Sequence, residues 1–209
     1  MKPNRWHMPD VPTGLSVTPE PNCHLLVACR EARKLNVFTT HGELVRGILL
    51  HDELVRPLSA VQFGEQFIVS HGWLSDEKNQ VCVVNAEGDV TRRYGWSRGS
   101  AAWQLNYPIR LTRDSDGNIF VADYYNKRIL LLSPPLDHHR DLISLHDVIQ
   151  VTDEDSVSVN FRPRRLCLDE ARGRLFVADD INKDVMVFQI RDVQRLSGVE
   201  KCVGNVNCV

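Results

Sequence analysis

The chain lacks the cysteine patterns that mark a zinc module or a disulfide framework. Its 209 residues contain six cysteines, spread thinly at positions 23, 29, 82, 167, 202 and 208. No Cys-x-x-Cys pair occurs among them, so the sequence offers no zinc-finger array. Because we see no secretory leader, we expect these thiols to be reduced. Cys82 and Cys167 fall within predicted strands, where we expect them to be small core residues.

Long apolar runs are also absent. No stretch approaches the roughly 18 consecutive apolar residues of a membrane-spanning helix. Residues 1–7 lack the apolar core of a signal peptide. We therefore expect a cytoplasmic protein with no membrane partner. The net charge of −2 provides no overall attraction for nucleic acid or anionic lipid.

Motifs for catalysis and for bound cofactors are missing as well. The sequence has no His-Glu-x-x-His, no Gly-x-Ser-x-Gly and no glycine-rich phosphate loop. The eight histidines hold unrelated positions, except that His138, His139 and His146 cluster in one segment. A metal site needs several ligands that converge on one point, and the scattered histidines show no spacing that would bring them together. We therefore predict no catalytic residue, no bound metal and no cofactor.

What the chain does contain is a phrase that recurs. Residues 119–123 are Ile-Phe-Val-Ala-Asp, and residues 175–179 are Leu-Phe-Val-Ala-Asp. Each phrase follows a proline, Pro108 or Pro163, and precedes an Asn-Lys pair and a second apolar run. A period of this length indicates a repeat architecture.

Two weaker copies of the unit lie upstream. Pro12 and Pro57 open them, and residues 25–29 and 67–71 stand in place of the phrase. The four prolines lie 45, 51 and 55 residues apart, which is close to the spacing of four-stranded propeller blades. We predict an all-β fold, a β-propeller of four four-stranded antiparallel blades, as a partial, open or loosely closed ring.

The repeat also fixes the predicted boundaries. We expect an N-terminal extension at 1–10, a propeller at 11–203 and a C-terminal tail at 204–209. The predicted blades cover approximately residues 11–50, 51–98, 103–148 and 158–203. Within the third blade we predict strands at Ile109–Thr112, Asn118–Ala122 and Arg128–Leu132. The predicted outer strands of the four blades are Leu44–Leu49, Val90–Tyr94, Leu142–Leu145 and Gly198–Val203.

The third unit resembles one whole NHL repeat. The residues that carry the resemblance are Pro108-Ile109-Arg110-Leu111, the stretch 116–123 and Asn126-Lys127-Arg128-Ile129. The fourth unit is nearly as similar, whereas the first two are degenerate. The resemblance covers roughly residues 10–203 and implies an NHL β-propeller. Such propellers usually have six blades and this chain supplies four, so it is either an open array or part of a longer propeller. Open blade edges favour self-association.

One face of the predicted propeller is the expected ligand-binding face. It carries the loops between second and third strands and the links between blades. Its candidate residues combine aromatic rings, cations and amides: Trp73, Tyr107, Arg110, Tyr124, Tyr125, Asn126, Lys127, Arg128, Arg162, Arg164, Arg165, Asn182 and Lys183. The mixture suits a protein partner, because Tyr, Trp and Arg dominate interface hot spots. It also suits RNA, which needs cations and rings for stacking.

The resemblance implies a binding function. NHL domains bind proteins or RNA on this face, and many form the substrate-targeting part of tripartite-motif ubiquitin ligases. We favour a protein-interaction scaffold over RNA binding, because the acidic stretch 153–155 lies close in sequence to the arginines and partly cancels their field. Related six-bladed propellers include metal-dependent lyases and lactonases, so a propeller enzyme is the second alternative.

Asp123 and Asp179 end the two clear copies of the phrase. Their recurrence suggests paired catalytic acids at first sight. An Asp at a strand end, three residues before an Asn, more commonly satisfies backbone donors of the following turn. We therefore predict a structural role in that turn for both. The equivalent residues of the weaker copies, Cys29 and His71, must stabilise their turns differently.

Overall fold

Strands account for nearly all regular structure among the residues that the structure describes. The computed structural model describes residues 5–8, 10–73, 78–101, 103–133, 136, 139–143 and 161–190. Within these ranges, three antiparallel sheets have four strands and one has three. In every sheet the spatial order of the strands follows the chain, which is the connectivity of a propeller blade. The prediction of an all-β propeller with four blades is confirmed.

The blades follow one another along the sequence. The first contains β1 (Pro12–Val17), β2 (Leu25–Cys29), β3 (Lys34–Phe38) and β4 (Leu44–Leu49). The second contains β5 (Pro57–Phe63), β6 (Gln66–His71), β7 (Gln80–Val84) and β8 (Val90–Tyr94). The third contains β9 (Pro108–Arg113), β10 (Ile119–Asp123), β11 (Arg128–Leu132) and β12 (His139–Ile143). The fourth contains β13 (Pro163–Asp169), β14 (Arg174–Asp179) and β15 (Val185–Gln189).

Most predicted strand bounds agree with the structure, and one does not. The predicted outer strands of the first two blades coincide with β4 and β8. The outer strand of the third blade begins at His139, three residues before the predicted Leu142. Its first three residues are polar, and an edge strand needs only backbone pairing, here Leu132 with His139. The predicted strand at 198–203 and the acidic stretch at 153–155 lie outside the described residues.

Three apolar clusters fill the spaces between adjacent blades. Leu35 of the first blade packs with Phe67 of the second, and Phe120 of the third packs with Leu175 and Phe188 of the fourth. In the second and third blades the middle strands β6 and β10 are buried on both faces as the sequence predicts, because those sheets lie between two neighbours. In the fourth blade the burial of β14 alternates along the strand, with every second residue only partly buried. A single blade would leave these side chains in water, so the blades stabilise one another.

The inner strands pack in the order β1, β5, β9 and β13. Side-chain hydroxyls reinforce this packing. Ser16 Oγ donates to the carbonyl of Ala60 at 2.8 Å, and Ser59 Oγ accepts from the backbone N of Leu111 at 3.2 Å. Gly14 permits the closest approach, since a Cβ there would lie 2.7 Å from the carbonyl oxygen of Leu58.

Both ends of the blade array carry exposed apolar residues. Leu15 and Val17 on β1 are 64% and 60% exposed, and Val185 on β15 is 64% exposed. Cys167 on β13 is also exposed, so the prediction that it is a core residue is wrong. Its strand ends the array in the described part of the chain, whereas Cys82 lies between two blades and is buried as predicted.

Candidate functional site

A buried carboxylate organises the turn at the top of the third blade. Oδ1 of Asp123 accepts from the backbone N of Asn106 at 2.7 Å. Its Oδ2 accepts from Asn126 Nδ2 at 2.7 Å and from Arg128 Nε at 2.9 Å. Burial raises the pKa of Asp123, although these donors and the Arg128 charge oppose the rise. The carboxylate therefore ties the link from the second blade to the turn after β10.

The fourth blade repeats this arrangement with Asp179. Its Oδ1 accepts from the backbone N atoms of Arg162 at 3.0 Å and Ile181 at 2.9 Å. Its Oδ2 accepts from Asn182 Nδ2 at 2.5 Å. In both blades the aspartate contacts the following turn and also the backbone one or two residues before the blade's first strand, at Asn106 and at Arg162. The sequence predicts the first contact but not the second.

The first two blades stabilise the same position without a carboxylate. Asn36 Nδ2 donates to Cys29 Sγ at 3.3 Å. His71 Nε2 lies 3.3 Å from Gln80 Oε1, and Gln80 Nε2 donates to the carbonyl of Gly95 at 2.6 Å. Burial lowers the pKa of His71 to about 4, so the imidazole is neutral near pH 7.

These contacts use several of the predicted binding residues. Asn126, Arg128 and Asn182 direct their donors to the turn carboxylates, and the Arg128 side chain is only 11% exposed. Lys127 and Lys183 have left-handed backbones at the same point of the repeat, with φ of 55° and 65°. Lys183 Nζ donates to the carbonyl of Asp180 at 2.6 Å. Fewer residues than predicted therefore have polar groups available to a partner.

Four aromatic side chains form one continuous cluster, which we call the tyrosine array: Trp73, Tyr107, Tyr124 and Tyr125. Tyr107 lies at its centre, with ring centroids 5.1 Å from Trp73, 5.9 Å from Tyr124 and 5.8 Å from Tyr125. Tyr124 and Tyr125 meet edge to face at 4.7 Å. The structure thus brings together all the aromatic residues of the predicted binding face.

Two guanidinium groups lie over the tyrosine array. The Cζ atom of Arg162 is 5.7 Å from the Tyr124 ring centroid and 5.4 Å from that of Tyr125. Arg30 Cζ is 5.6 Å from the Trp73 ring centroid. These distances are within the range of cation–π attraction.

Asp180 joins the tyrosine array to a third arginine. Its Oδ2 accepts from the Tyr124 hydroxyl at 2.5 Å and from Arg164 Nη1 at 2.9 Å. The Tyr124 hydrogen bond, followed by that of Arg164, lowers the pKa of Asp180. The sequence places both Asp180 and Arg30 in loops of the predicted binding face, but neither is among the predicted site residues. Both directly follow the strand-end residue of their blade, as Tyr124 does, and this shared repeat position was the available signal.

Backbone geometry holds Tyr107 at the centre of the array. Its φ of 63° is left-handed and immediately precedes Pro108. Its backbone N donates to Asn79 Oδ1 at 2.9 Å, and its carbonyl accepts from the backbone N of Tyr124 at 3.3 Å. Asn79 is fully buried and belongs to the second blade, so this side chain positions the array from the neighbouring sheet.

The remaining predicted cations, Arg110 and Arg165, take a different position. Both line a cavity of about 660 Å³ bounded by β1 on one side and by β9 and β13 on the other. Among the described residues, no group of three His, Cys, Asp or Glu side chains is arranged to hold a metal ion. No helix in the described ranges is long and apolar enough to span a membrane.

The third blade contains the segment that matches a family model. Residues 105–130 match the model of the NHL repeat. The match covers β9, β10 and most of β11. The matched segment includes Asp123, Asn126 and Arg128, whose mutual hydrogen bonds shape the turn, together with three tyrosines of the array. The predicted resemblance of this chain to NHL-repeat propellers is confirmed.

Solved structures with the same fold are distant in sequence. A chain of a nidogen/laminin complex superposes with a TM-score of 0.63 at 16% identity, covering 86% of this chain and 61% of that one. Hydrazine synthase of Kuenenia stuttgartiensis gives a TM-score of 0.59 at 14% identity, covering 88% and 54%. Virginiamycin B lyase of Staphylococcus aureus, solved in inactive form with quinupristin, gives 0.51 at 11% identity, covering 87% and 56%. No curated protein sequence matches the chain.

These similarities establish the fold alone. The neighbours include a chain from a protein complex and two enzymes, so their functions differ while their architecture is shared. The chain spans little more than half the length of each structural neighbour.

Proposed function

We propose that this chain is a non-enzymatic binding module whose tyrosine array recognises a protein partner. The observation that carries the proposal is the continuous cluster of Trp73, Tyr107, Tyr124 and Tyr125 beneath Arg30 and Arg162. Aromatic and arginine side chains dominate the binding energy of protein interfaces. The cluster rests on hydrogen-bonded turns of rigid sheets, so a partner meets a preorganised surface.

The aromatic rings of the array are largely covered, which favours a protein partner over an RNA partner. Unstacked bases bind by stacking on open aromatic faces. Tyr124 is only 7% exposed, and Arg162 lies over both Tyr124 and Tyr125. The ring edges and guanidinium groups that remain accessible suit hydrogen bonds and packing against side chains. A carboxylate, Asp180, also lies beside Arg164 and weakens attraction for phosphate.

A pull-down compares the two partner classes directly. The full chain is immobilised as wild type, as Tyr125→Ala/Arg164→Glu and as the control Trp96→Ala/Arg172→Glu. Trp96 is 79% exposed and Arg172 lies in the turn before β14, so the control removes one aromatic ring and reverses one arginine charge outside the array. Each lysate is tested with and without RNase.

We expect protein partners that survive RNase and bind the control, but are lost from the array variant. Loss of all partners after RNase treatment would indicate that the chain binds RNA instead of protein. Equal capture by the two variants would place the binding surface elsewhere. The role implied by tripartite-motif ubiquitin ligases stays a prediction.

A further inference from the structure

The cavity that ends the blade array has an unusual lining. It measures about 660 Å³, within the size range of small-molecule sites. Its wall comes from the start of β1, from Val27 on β2, from residues of β9 and β13, and from Arg5, Trp6 and Met8 ahead of the first strand. It is therefore built from three blades and the segment before them.

Three guanidinium groups converge on this cavity. Arg5, Arg110 and Arg165 all line it, and the described lining includes no carboxylate. Within the described ranges, none of the three forms an ion pair. The Arg165 side chain donates to the carbonyl of Arg164 at 3.2 Å. Arg5 and Arg165 are exposed, whereas Arg110 is half-buried. A half-buried cation in a protein is normally paired, so Arg110 lacks a counter-charge among the described residues.

The Arg110 side chain also lacks a hydrogen-bond acceptor among the described residues. Its Nε is buried and has no hydrogen-bond partner in the part of the chain that the structure describes. Burial, and then the charges of Arg165 and Arg164, lower the pKa of Arg110 to about 10. A buried donor without an acceptor is costly, and an anion in the cavity would supply both the acceptor and the missing charge.

The rest of the lining is apolar. The remaining wall consists mainly of apolar side chains, those of Trp6, Met8, Leu15, Val27 and Leu166. Pro12, Thr13 and Gly14 complete it. Leu15 is 64% exposed although it faces this cavity. A ligand that filled the space would therefore remove apolar surface from water. An inorganic anion would use the arginines but leave this wall uncovered.

We propose that this cavity binds an organic anion, with a carboxylate held by Arg110 and Arg165 and an apolar body packed against Trp6, Leu15 and Leu166. Guanidinium groups match carboxylates in both charge and geometry. A free aliphatic acid and the C-terminal carboxylate of an apolar peptide share this chemistry. No residue of the tyrosine array lines this cavity, and the proposal goes beyond the proposed function.

Calorimetric titration of the full chain tests the proposal with defined probes. Octanoate has both the carboxylate and the apolar chain of the proposed ligand. Acetate has the carboxylate without the chain, and 1-octanol has the chain without the charge. We expect saturable binding of octanoate, at least tenfold tighter than that of either control. N-acetyl-leucyl-leucine and its C-terminal amide distinguish the source. Tighter binding of the free peptide acid than of octanoate would identify a chain terminus, and the reverse order a free acid.

Substitutions then locate the site. Arg110→Gln and Arg165→Gln should each weaken octanoate binding roughly tenfold or more, because each removes a charge-assisted hydrogen bond. Arg172→Gln, on the same blade as Arg165 and outside the cavity, should leave binding unchanged. Thermal melting shows whether each variant is folded. If Arg110→Gln does not fold, Arg165→Gln alone tests the site. Absence of saturable octanoate binding, octanol binding as tight as octanoate, or unchanged affinity in both folded cavity variants would overturn the proposal.

Discussion

At the residue scale, the recurring aspartate organises the turn and the link between blades next to the tyrosine array. Asp123 accepts three hydrogen bonds while its carboxylate is 0% exposed. One of these donors, Asn106, lies in the link between blades. The carboxylate therefore fixes the position of Tyr107, the next residue and the centre of the tyrosine array.

Removal of this carboxylate should be among the most damaging changes in the chain. Asp123→Ala removes the buried carboxylate that pairs with Arg128, and breaking a buried ion pair typically costs about 3–5 kcal/mol. Asp123→Asn should cost less, because it keeps an acceptor for Asn106. Urea denaturation measures both, with Asp116→Ala in an exposed hairpin as the control, expected within about 0.5 kcal/mol of wild type. A loss below about 1 kcal/mol in Asp123→Ala would contradict this role.

His71 should make the fold sensitive to acid. Its pKa is about 4 in the folded chain, against 6.5 for an unperturbed histidine. Between these values the unfolded chain binds a proton that the folded chain does not, so stability falls as the pH falls from 6.5 to 4. The contribution reaches about 3 kcal/mol. Unfolding free energies of wild type and His71→Gln, measured across this range, should therefore differ in slope. Parallel pH profiles would show that His71 is not the group responsible.

At the element scale, the period of the repeat carries most of the predictive information. The prolines, hairpin glycines and buried middle strands fix β9, β10 and β11 to within a residue, because these features arise from local backbone chemistry. The start of β12 is missed, because its first three residues are polar and the sequence there shows no alternation of apolar residues. Contacts between blades, such as Asn79 with Tyr107 and Arg162 with Tyr125, depend on how sheets stack. No local pattern encodes them, so the tyrosine array could be predicted as a shared face but not as a set of contacts.

The packing of β1 on β5 provides a test at this scale. A Cβ at Gly14 would lie 2.8 Å from Ser59 Cα as well as close to the Leu58 carbonyl. Because both neighbours are backbone, Gly14→Val should destabilise the fold by about 1–3 kcal/mol. Gly64 has no atom within 4 Å of such a Cβ and a φ of 58°, so Gly64→Asn is a tolerant control. Equal chemical stability of the two variants would argue against this close approach.

At the scale of the whole molecule, the four blades form a stacked array with apolar residues exposed at each end. Val17 and Val185 mark the two ends. The structural neighbours have longer chains, and this chain covers 54% to 61% of three of them. The predicted self-association through open edges therefore stays a prediction, for which these two residues provide the test.

Light scattering after size exclusion should show the mass of the purified chain rising with concentration. Exposed strand edges and apolar faces promote such association. The double variant Val17→Lys/Val185→Lys should shift the population towards monomer, because charge at both ends opposes edge pairing. The control Val45→Lys changes an exposed valine on β4 instead. A wild-type mass equal to that of the monomer at all concentrations would contradict self-association.

Binding of a protein by the tyrosine array is tested most directly by site-specific photo-crosslinking. The photoreactive residue p-benzoylphenylalanine is placed at position 125 of the full chain and, as a control, at position 172. We expect protein adducts from position 125 that survive RNase treatment and are absent from position 172. Adducts that contain RNA, or equal protein adducts from both positions, would contradict binding of a protein at the array.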